Sequence, residues 1–579
     1  MFQRLSDLSS FISLSESEPW ELLNEGMPPK YNRGFALCFS NDGKWLGVKT
    51  IYKNKGIVYR SGPSNGTDFT PCCKFASNTA NRLFKAVNEL AAYAELPENK
   101  KKSLDASIEC FESRKEEIWQ EVESKAKSET LDKDKRGFVY WEIDSKPVYE
   151  WQEAKQLLQQ KFLIPFKKGG NRIGACSICG QDELEVYGNV SIIACYNLDK
   201  PGSIAGGFKD NEAHRNFPVC QNCAFSIAQA FTFAENNFTS SMAGETYMLL
   251  PYTSDAEIYE QLHETLKSNP ERYQLSKNTD LVCEEIDLVK YFSKQGKQIA
   301  LAVIFFKKEQ KSWRVIAEIQ QLLPNRLHEL HHAAEIIADS QDLFGKDDKN
   351  LQISAYTFKT FSGSSEKNSV NTLRAWLIAL FESHVIDYNV FLHNLVSKII
   401  STGKADADKL NWVTRQAWGL YRYALETNLI KLDKIQGEIN MQLVIPDSSY
   451  GEYIKEHSEF FRRPEIVATF LTGCYASVVA SVQYKERGAT PFTKKFIGRL
   501  LTKQQLQSIY REGHAKLTQY RKLAYVIKKE GKGLDPDLAN SWVVCGENWN
   551  ISDDEATFAF TIGYSLAYRI SNLELPTEE

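Results

Sequence analysis

The chain opens without a basic segment followed by an apolar block: MFQRLSDLSSFISLSESEPW reads as no secretory signal. The most apolar later stretch, Ile466 to Val482, falls short of the ~20 residues a membrane span needs and carries Thr, Gly and Ser, so no membrane helix is expected. No His-Asp dipeptide occurs, which removes the simplest nuclease reading. No internal repeat and no low-complexity linker interrupts the sequence, and methionine is scarce, at five residues. The twelve cysteines lack the even, short-range spacing of a secreted disulfide scaffold, which points to reduced thiols and a cytosolic setting.

What is present is ordinary globular composition: 42% hydrophobic, 12% aromatic and 25% charged. At 579 residues the chain exceeds one hydrophobic core, since single cores stop growing near ~250–300 residues. A net charge of −4 hides an asymmetry. Residues 460–532 hold 15 Lys+Arg against 4 Asp+Glu, or +11, which leaves 55 against 70, or −15, for the remainder. A basic block on an acidic chain is a directional binding surface.

Short β-like runs at Arg33–Phe39, Trp45–Tyr52 and Gly56–Arg60, separated by NDGK and KNKG turns, predict an antiparallel meander. Helical patterns follow at 77–95 and 104–127, then a strand at 137–144. Two runs, 299–308 and 312–320, read as a hairpin leading into a helix begun by Pro324. From about Val370 helical patterns dominate to Asn572, with breaks near Gly403, Pro446, Gly488, Gly531 and Pro536. The expected architecture is a multidomain α+β chain. Its parts are an N-terminal α+β domain (1–164), a zinc-ribbon region (165–240), a middle region passing from α+β to helical (241–440) and an all-α C-terminal bundle (441–579).

Cys176-Ser-Ile-Cys179 and Cys220-Gln-Asn-Cys223 are two CxxC knuckles with 40 residues between them. Each knuckle lets two thiolates converge on one cation, and two complete the all-sulfur tetrahedron that Zn2+ favours. Gly180 helps the first turn close. Four thiolates leave no open coordination position, so the zinc would be structural. Cys195 and His214 lie inside the gap without belonging to a pair.

His328-Glu329-Leu330-His331-His332 satisfies HExxH, the zincin pattern in which two histidines of one helix bind zinc and the glutamate acts as base. No suitable third ligand follows, and a metalloprotease is the less favoured alternative. Phe344 to Asp348 reads as a hydrophilic turn, and Gly202 to Gly207 follow no strand-to-helix dinucleotide pattern.

The pattern from about Lys503 to Glu530 predicts one helix. At 100° per residue, Lys522 and Lys529 fall within about 20° of Arg511, while Leu506, Ile509, Leu517, Tyr520, Ala524 and Ile527 gather on the opposite side. Arg511 to Lys529 would then form a cationic stripe roughly 27 Å long. Lys485, Arg487, Lys494, Lys495, Arg499 and Lys503 extend it. Without a base-reading motif, such a stripe implies salt-sensitive, sequence-tolerant binding to a nucleic-acid backbone.

A central CxxC…CxxC ribbon beginning GNRIGACSICG, an α/β N-terminal half and a basic helical C-terminal bundle together resemble the large subunit of a type I, subtype I-B-like CRISPR interference complex (Cascade). The resemblance implies a non-catalytic subunit that contacts CRISPR RNA, target double-stranded DNA and other Cascade subunits. It further implies sensing of the target-flanking motif (the PAM), R-loop stabilisation and recruitment of a separate helicase-nuclease. Candidates for reading the motif are Lys167, Lys168, Asn171 and Arg172, where Gly169 and Gly170 allow close approach, and the loop Lys53, Asn54, Lys55. Another zinc-ribbon nucleic-acid-binding scaffold is the remaining alternative. The motif itself, the guide and the stoichiometry are not legible.

Met441 stands where the expected bundle begins. Gly437-Glu438 can be encoded as a purine-rich ribosome-binding sequence just upstream, and a start there would give a product of 579 − 440 = 139 residues. Such a product would serve as a separate small subunit, since related large subunits in some subtypes supply one by internal initiation.

Overall fold

The computed structural model of the chain describes all residues except 1, 13–18, 29, 53–55, 63–65, 76–78, 130–135, 190–208, 254–299, 310–311, 344–352, 364–365, 433–444, 528–532, 548 and 572–579. Two compact units emerge, one built mainly from Met1–Ser240 and the other mainly from Ile319–Glu579.

The first unit begins with two helices that periodicity did not announce, α1 (Phe2–Ile12) and α2 (Pro19–Leu23). Strands β1 (Tyr31–Phe39), β2 (Trp45–Ile51) and β3 (Cys72–Lys74) precede helices α3 (Thr79–Ala91), α4 (Glu98–Ser113) and α5 (Lys115–Glu129). Then come β4 (Arg136–Ile143), β5 (Lys146–Pro147) and α6 (Gln152–Leu163). The single helix expected over 104–127 is two, parted at Arg114, which leaves helical geometry at φ −125°.

The expected antiparallel meander is corrected. β1 and β2 do pair antiparallel, but Gly56–Arg60 forms no strand, and β1 takes β4 as a parallel neighbour, giving the order β2-β1-β4-β3. A parallel pair needs a long crossover, and α3–α5 supply it. Alternation along the strands builds two cores. Phe35, Leu37, Phe39, Val139 and Trp141 pack with residues of α3–α5, while Ala36, Phe138 and Tyr140 pack with Leu23, Tyr149 and Leu158. Buried on both faces, β4 reads FVYWEI with no polar alternation.

A three-stranded sheet follows, β6 (Asn171–Gly174), β7 (Leu184–Tyr187) and β8 (Val219–Cys220), leading into α7 (Gln221–Asn237), which packs on α1. Strands β9 (Thr239–Met242), β10 (Glu245–Tyr252), β11 (Ala300–Glu309) and β12 (Ser312–Leu322) form a sheet in the order β12-β11-β10-β9. The two runs read as a hairpin are therefore neighbouring strands.

The second unit is helical: α8 (Pro324–Ala338), α9 (Ala355–Phe361), α10 (Glu366–Phe381), α11 (Tyr388–Ala405), α12 (Leu410–Glu426), α13 (Ser449–Glu456), α14 (Pro464–Arg487), α15 (Lys503–Gln519), α16 (Leu534–Cys545) and α17 (Asp553–Ser571). Pro536 begins a helix instead of breaking one, sitting in the first turn of α16. Among the described residues, α14 alone is long and apolar enough to cross a membrane, yet 83% of its apolar window is buried. It is the axial helix of the bundle, packed against α15, α16 and α17. Gly488 ends it in the left-handed conformation at φ 66°, as the sequence anticipated. The chain is thus α+β, with sheets in the N-terminal half and helices throughout the C-terminal part.

Candidate metal centre and nucleic-acid interface

Cys176 lies in the turn after β6, Cys179 three residues on, Cys220 at the end of β8 and Cys223 in the first turn of α7. Their sulfurs all lie within 4.8 Å of one another. A tetrahedron with metal–sulfur bonds near 2.3 Å needs sulfurs about 3.8 Å apart, so the four could hold a metal ion and are compatible with zinc. The first knuckle closes through Gly180 N–H donating to Cys176 O at 2.9 Å, with Gly180 at φ 71°. Ser177 N–H donates to Pro218 O at 2.7 Å and ties the knuckles together.

Burial alone would raise the Cys176 thiol. Amide donors, Cys220 N at 3.3 Å and Ile178 N at 3.4 Å from its sulfur, reverse this and bring it down to about 7, whereas burial keeps Cys220 and Cys223 raised. The backbone therefore favours a thiolate at Cys176, the form that ligates metal. His214 is buried but stands outside the cluster, and Cys195 lies outside the described residues.

The HExxH segment sits on α8. Leu327, Leu330 and Ile337 are buried, with His328, Glu329 and His332 exposed. Glu329 is ion-paired to Arg326 at 3.0 Å, His331 Nε2 lies 3.0 Å from Glu335 Oε1, and among the described residues no third ligand joins the histidines. Arg326 itself is buried. Its guanidinium donates to Leu380 O at 2.8 and 2.9 Å and to Thr427 O at 2.9 Å, capping the C-terminal ends of α10 and α12 together.

The expected 503–530 helix is corrected. α15 stops at Gln519, because Arg521 takes the left-handed conformation at φ 57°, with Arg521 N–H donating to Thr518 O and Lys522 N–H to Leu517 O. This is a Schellman stop with arginine where glycine is usual, which is why the sequence hid it. Leu506, Ile509 and Leu517 are buried as expected, but Ala524 is exposed, and Lys522 no longer extends a stripe from Arg511. Lys529 lies outside the described residues.

In place of the stripe, cations gather where α14 and α15 end. Arg487 lies 5.8 Å from the Tyr520 ring centre, Gln483 donates to Tyr520 OH at 3.4 Å, and Lys522 pairs with Glu486 at 3.6 Å. Lys495 pairs with Glu512, while Lys485, Lys494, Arg499, Arg511 and Arg521 are exposed. Lys503 is withdrawn from this set. Its ammonium donates to Gly546 O at 3.2 Å and Glu547 O at 3.1 Å, finishing α16. Sequence reasoning missed Arg521 and the exposed Tyr484 and Tyr525 beside the cations.

Lys167 is exposed at the end of the 3-10 turn Ile164–Gly169, of which Lys168 is also part, and Arg172 is exposed on edge strand β6. Gly170 has φ 71°. Asn171 is engaged, its amide donating to Glu185, whose carboxylate also accepts from Tyr187 OH at 2.8 Å and is held below its usual range by those two donors. Lys53, Asn54 and Lys55 lie outside the described residues, as does Met441.

Three family models match the chain in succession: the N-terminal domain of the CRISPR-associated protein TM1802 over residues 11–160, its central domain over 173–322 and its C-terminal domain over 355–574. No curated protein matches the chain.

Proposed function

We propose that this chain, which belongs to the CRISPR-associated TM1802 family, is a non-catalytic, nucleic-acid-binding large subunit of an RNA-guided surveillance complex of the type I-B kind. The carrying observation is the cationic surface of α14 and α15, with Lys485, Arg487, Arg521 and Lys522 where the two helices end and Lys494 and Lys495 in the turn between them, offset by two carboxylates, Glu486 and Glu512. Such a surface neutralises phosphates whatever their sequence. It suits the strands of an R-loop whose sequence is read by a guide RNA.

The cysteine cluster holds zinc as a structural ion, since a full sulfur shell leaves water no place to be activated. Its work is to seat β8 and start α7. Lys167, Lys168 and Arg172 flank it and are the residues proposed to meet the target-flanking duplex, with Asn171 joining them on release from Glu185. Its partners in this reading are CRISPR RNA, target double-stranded DNA, the other subunits in the cytoplasm, and a helicase-nuclease that does the cutting.

A second product starting at Met441 belongs to the same reading. It would keep α13 to α17 but lose Trp418 and Tyr421, which in the full chain cover Tyr453, Phe460 and Phe558, so this product must bury that face elsewhere.

The test is nucleic-acid affinity against salt for the full chain and for a Lys485→Gln/Arg487→Gln/Lys494→Gln variant. The variant is expected to lose slope in log K against log salt by roughly 0.7–0.9 for each phosphate it no longer neutralises. An unchanged slope and affinity would reject the surface.

A further inference from the structure

One end of the first sheet, where β1 and β4 begin and β2 and β3 finish, collects Lys30, Tyr31, Arg33, Tyr52, Lys74 and Arg136. Register brings them to this rim from both faces, Arg33 and Tyr52 on the side of Phe35 and α5, and Tyr31, Lys74 and Arg136 on the side of Phe138. Tyr31 pairs with Arg136, Lys74 lies opposite Phe138, Tyr52 follows Ile51 opposite Gly34, and Arg136 N–H donates to Lys30 O at 2.8 Å.

Three of the four cations here face aromatic rings, and Arg136 is exposed to solvent. Lys30 and Lys74 stand 5.7 and 5.6 Å from the centre of the Tyr31 ring, and Arg33 stands 4.8 Å from that of Tyr52. Among the described residues none of the four is ion-paired to a carboxylate. The nearby acid, Glu129, accepts the Tyr52 hydroxyl at 2.9 Å instead. Elsewhere in the same unit the cations do pair, as Arg60 with Glu25, Arg82 with Asp68 and Lys100 with Glu153. Arg33 Nε is moreover buried with no hydrogen-bond partner, and Tyr52 is 63% exposed.

Unpaired cations beside an exposed ring call for a ligand that is anionic and has flat faces. The group crosses three inter-strand steps, roughly 14 Å at about 4.8 Å each, a length that a few phosphates of one strand can follow. We infer that this sheet end is a second nucleic-acid site, which binds an unpaired strand through its phosphates at Lys30, Arg33, Lys74 and Arg136 and stacks a base on Tyr52. An unpaired strand fits and a duplex does not, because a base inside a duplex has no free face to offer the ring. The inference is independent of the α14–α15 surface, since it uses residues of the other unit.

The experiment uses the full chain, fluorescent single strands of RNA and of DNA about twelve nucleotides long, the matching duplex, and vesicles of anionic lipid. A Lys30→Gln/Arg33→Gln/Lys74→Gln variant is expected to bind the single strands at least about ten-fold more weakly, with a salt slope lower by roughly 0.7 for each phosphate left without its cation. Tyr52→Leu should lower single-strand affinity by about 5- to 100-fold, the range of one base stack, while Tyr52→Phe and duplex binding stay near wild type. RNA and DNA are compared side by side, and the tighter one names the strand. Cross-linking of a 4-thiouridine or 4-thiothymidine strand to peptides containing Tyr31 or Tyr52 supports the site even if the triple variant folds poorly. No such cross-link together with wild-type affinity in Tyr52→Leu overturns it, as does vesicle binding lost in parallel with strand binding. Loss of the α14–α15 contribution alone leaves these outcomes unaffected, so the two surfaces are judged separately.

Discussion

Gly473 of α14 and Gly563 of α17 let two helix backbones touch. A β-carbon on Gly473 would lie 2.1 Å from Phe560 O, and one on Gly563 would lie 2.0 Å from Phe470 O. The obstacle on each side is a main-chain carbonyl, which cannot rotate away.

Gly473→Ala is therefore expected to destabilise the bundle by about 1–3 kcal/mol or more, against the ~1 kcal/mol that alanine gains within an exposed helix. Thermal melting of the single and double alanine variants measures it. Because each clash forces the same helix separation, the double variant should lose less than the sum of the two single losses.

Arg326 is buried and holds the ends of α10 and α12 by three hydrogen bonds to main-chain carbonyls. Arg326→Met should cost roughly 3–5 kcal/mol, since it leaves those carbonyls orphaned. Urea unfolding gives the difference, and a loss below about 1 kcal/mol would mean that water replaces the guanidinium at no penalty.

Purified protein should carry one zinc per chain by elemental analysis. Cys176→Ser with Cys220→Ser should abolish it, whereas His328→Ala with His332→Ala should leave it intact. Chelation is expected to lower the melting temperature of the first unit by several degrees, because β8 and the start of α7 are seated by the ligands and α7 packs on α1. Full metal content in the cysteine variant would place the ion elsewhere.

His457 gives the second unit an acid limb. Its ring packs edge-on against Trp418 and Tyr453, and burial, aided by the Arg422 guanidinium, pushes its pKa down to about 4. The unfolded chain, titrating near 6.5, then binds the extra proton between pH 6.5 and 4. Stability is complete above about pH 6.5 and falls as pH drops through that window, by of order 2–3 kcal/mol. His457→Phe should flatten this part of the pH–stability curve, and an unaltered curve would assign the acid limb to other groups.

Glu486 and Glu512 offset Lys522 and Lys495. Removing both charges, as Glu486→Gln with Glu512→Gln, is expected to strengthen nucleic-acid binding several-fold at low salt and to make it more salt-sensitive. Anisotropy titrations at two or more salt concentrations decide it. Weaker binding would show that the carboxylates hold the lysines in a binding posture.

Much of this was legible where the signal is local. The knuckles, the paired runs 300–309 and 312–322, the helix begun by Pro324 and the stop at Gly488 all lie within a few residues of the groups that cause them. The end of α15 was not, because Arg521 adopts a conformation that favours glycine, while its neighbours Tyr520 and Lys522 are held against the end of α14 by Gln483 and Glu486. Nor was the β1–β4 pairing, whose partners stand far apart in sequence, so the meander expected from turn residues alone placed β2 beside β1 but left β1's other side without β4. The sheet-end cations escaped notice for the same reason, since Lys30, Lys74 and Arg136 meet only through that register.

That register also fixes an order of events during synthesis. Tyr31 takes its place opposite Arg136, 136 − 31 = 105 residues later. At about 5–20 residues per second, roughly 5–20 s pass between the emergence of the two. Throughout this interval β1 offers an unpaired edge on the growing chain, with β2 its one nearby companion. Slowing the ribosome between codons 52 and 130 should prolong that exposure and increase aggregation, while β1–β2 alone remains a marginal hairpin.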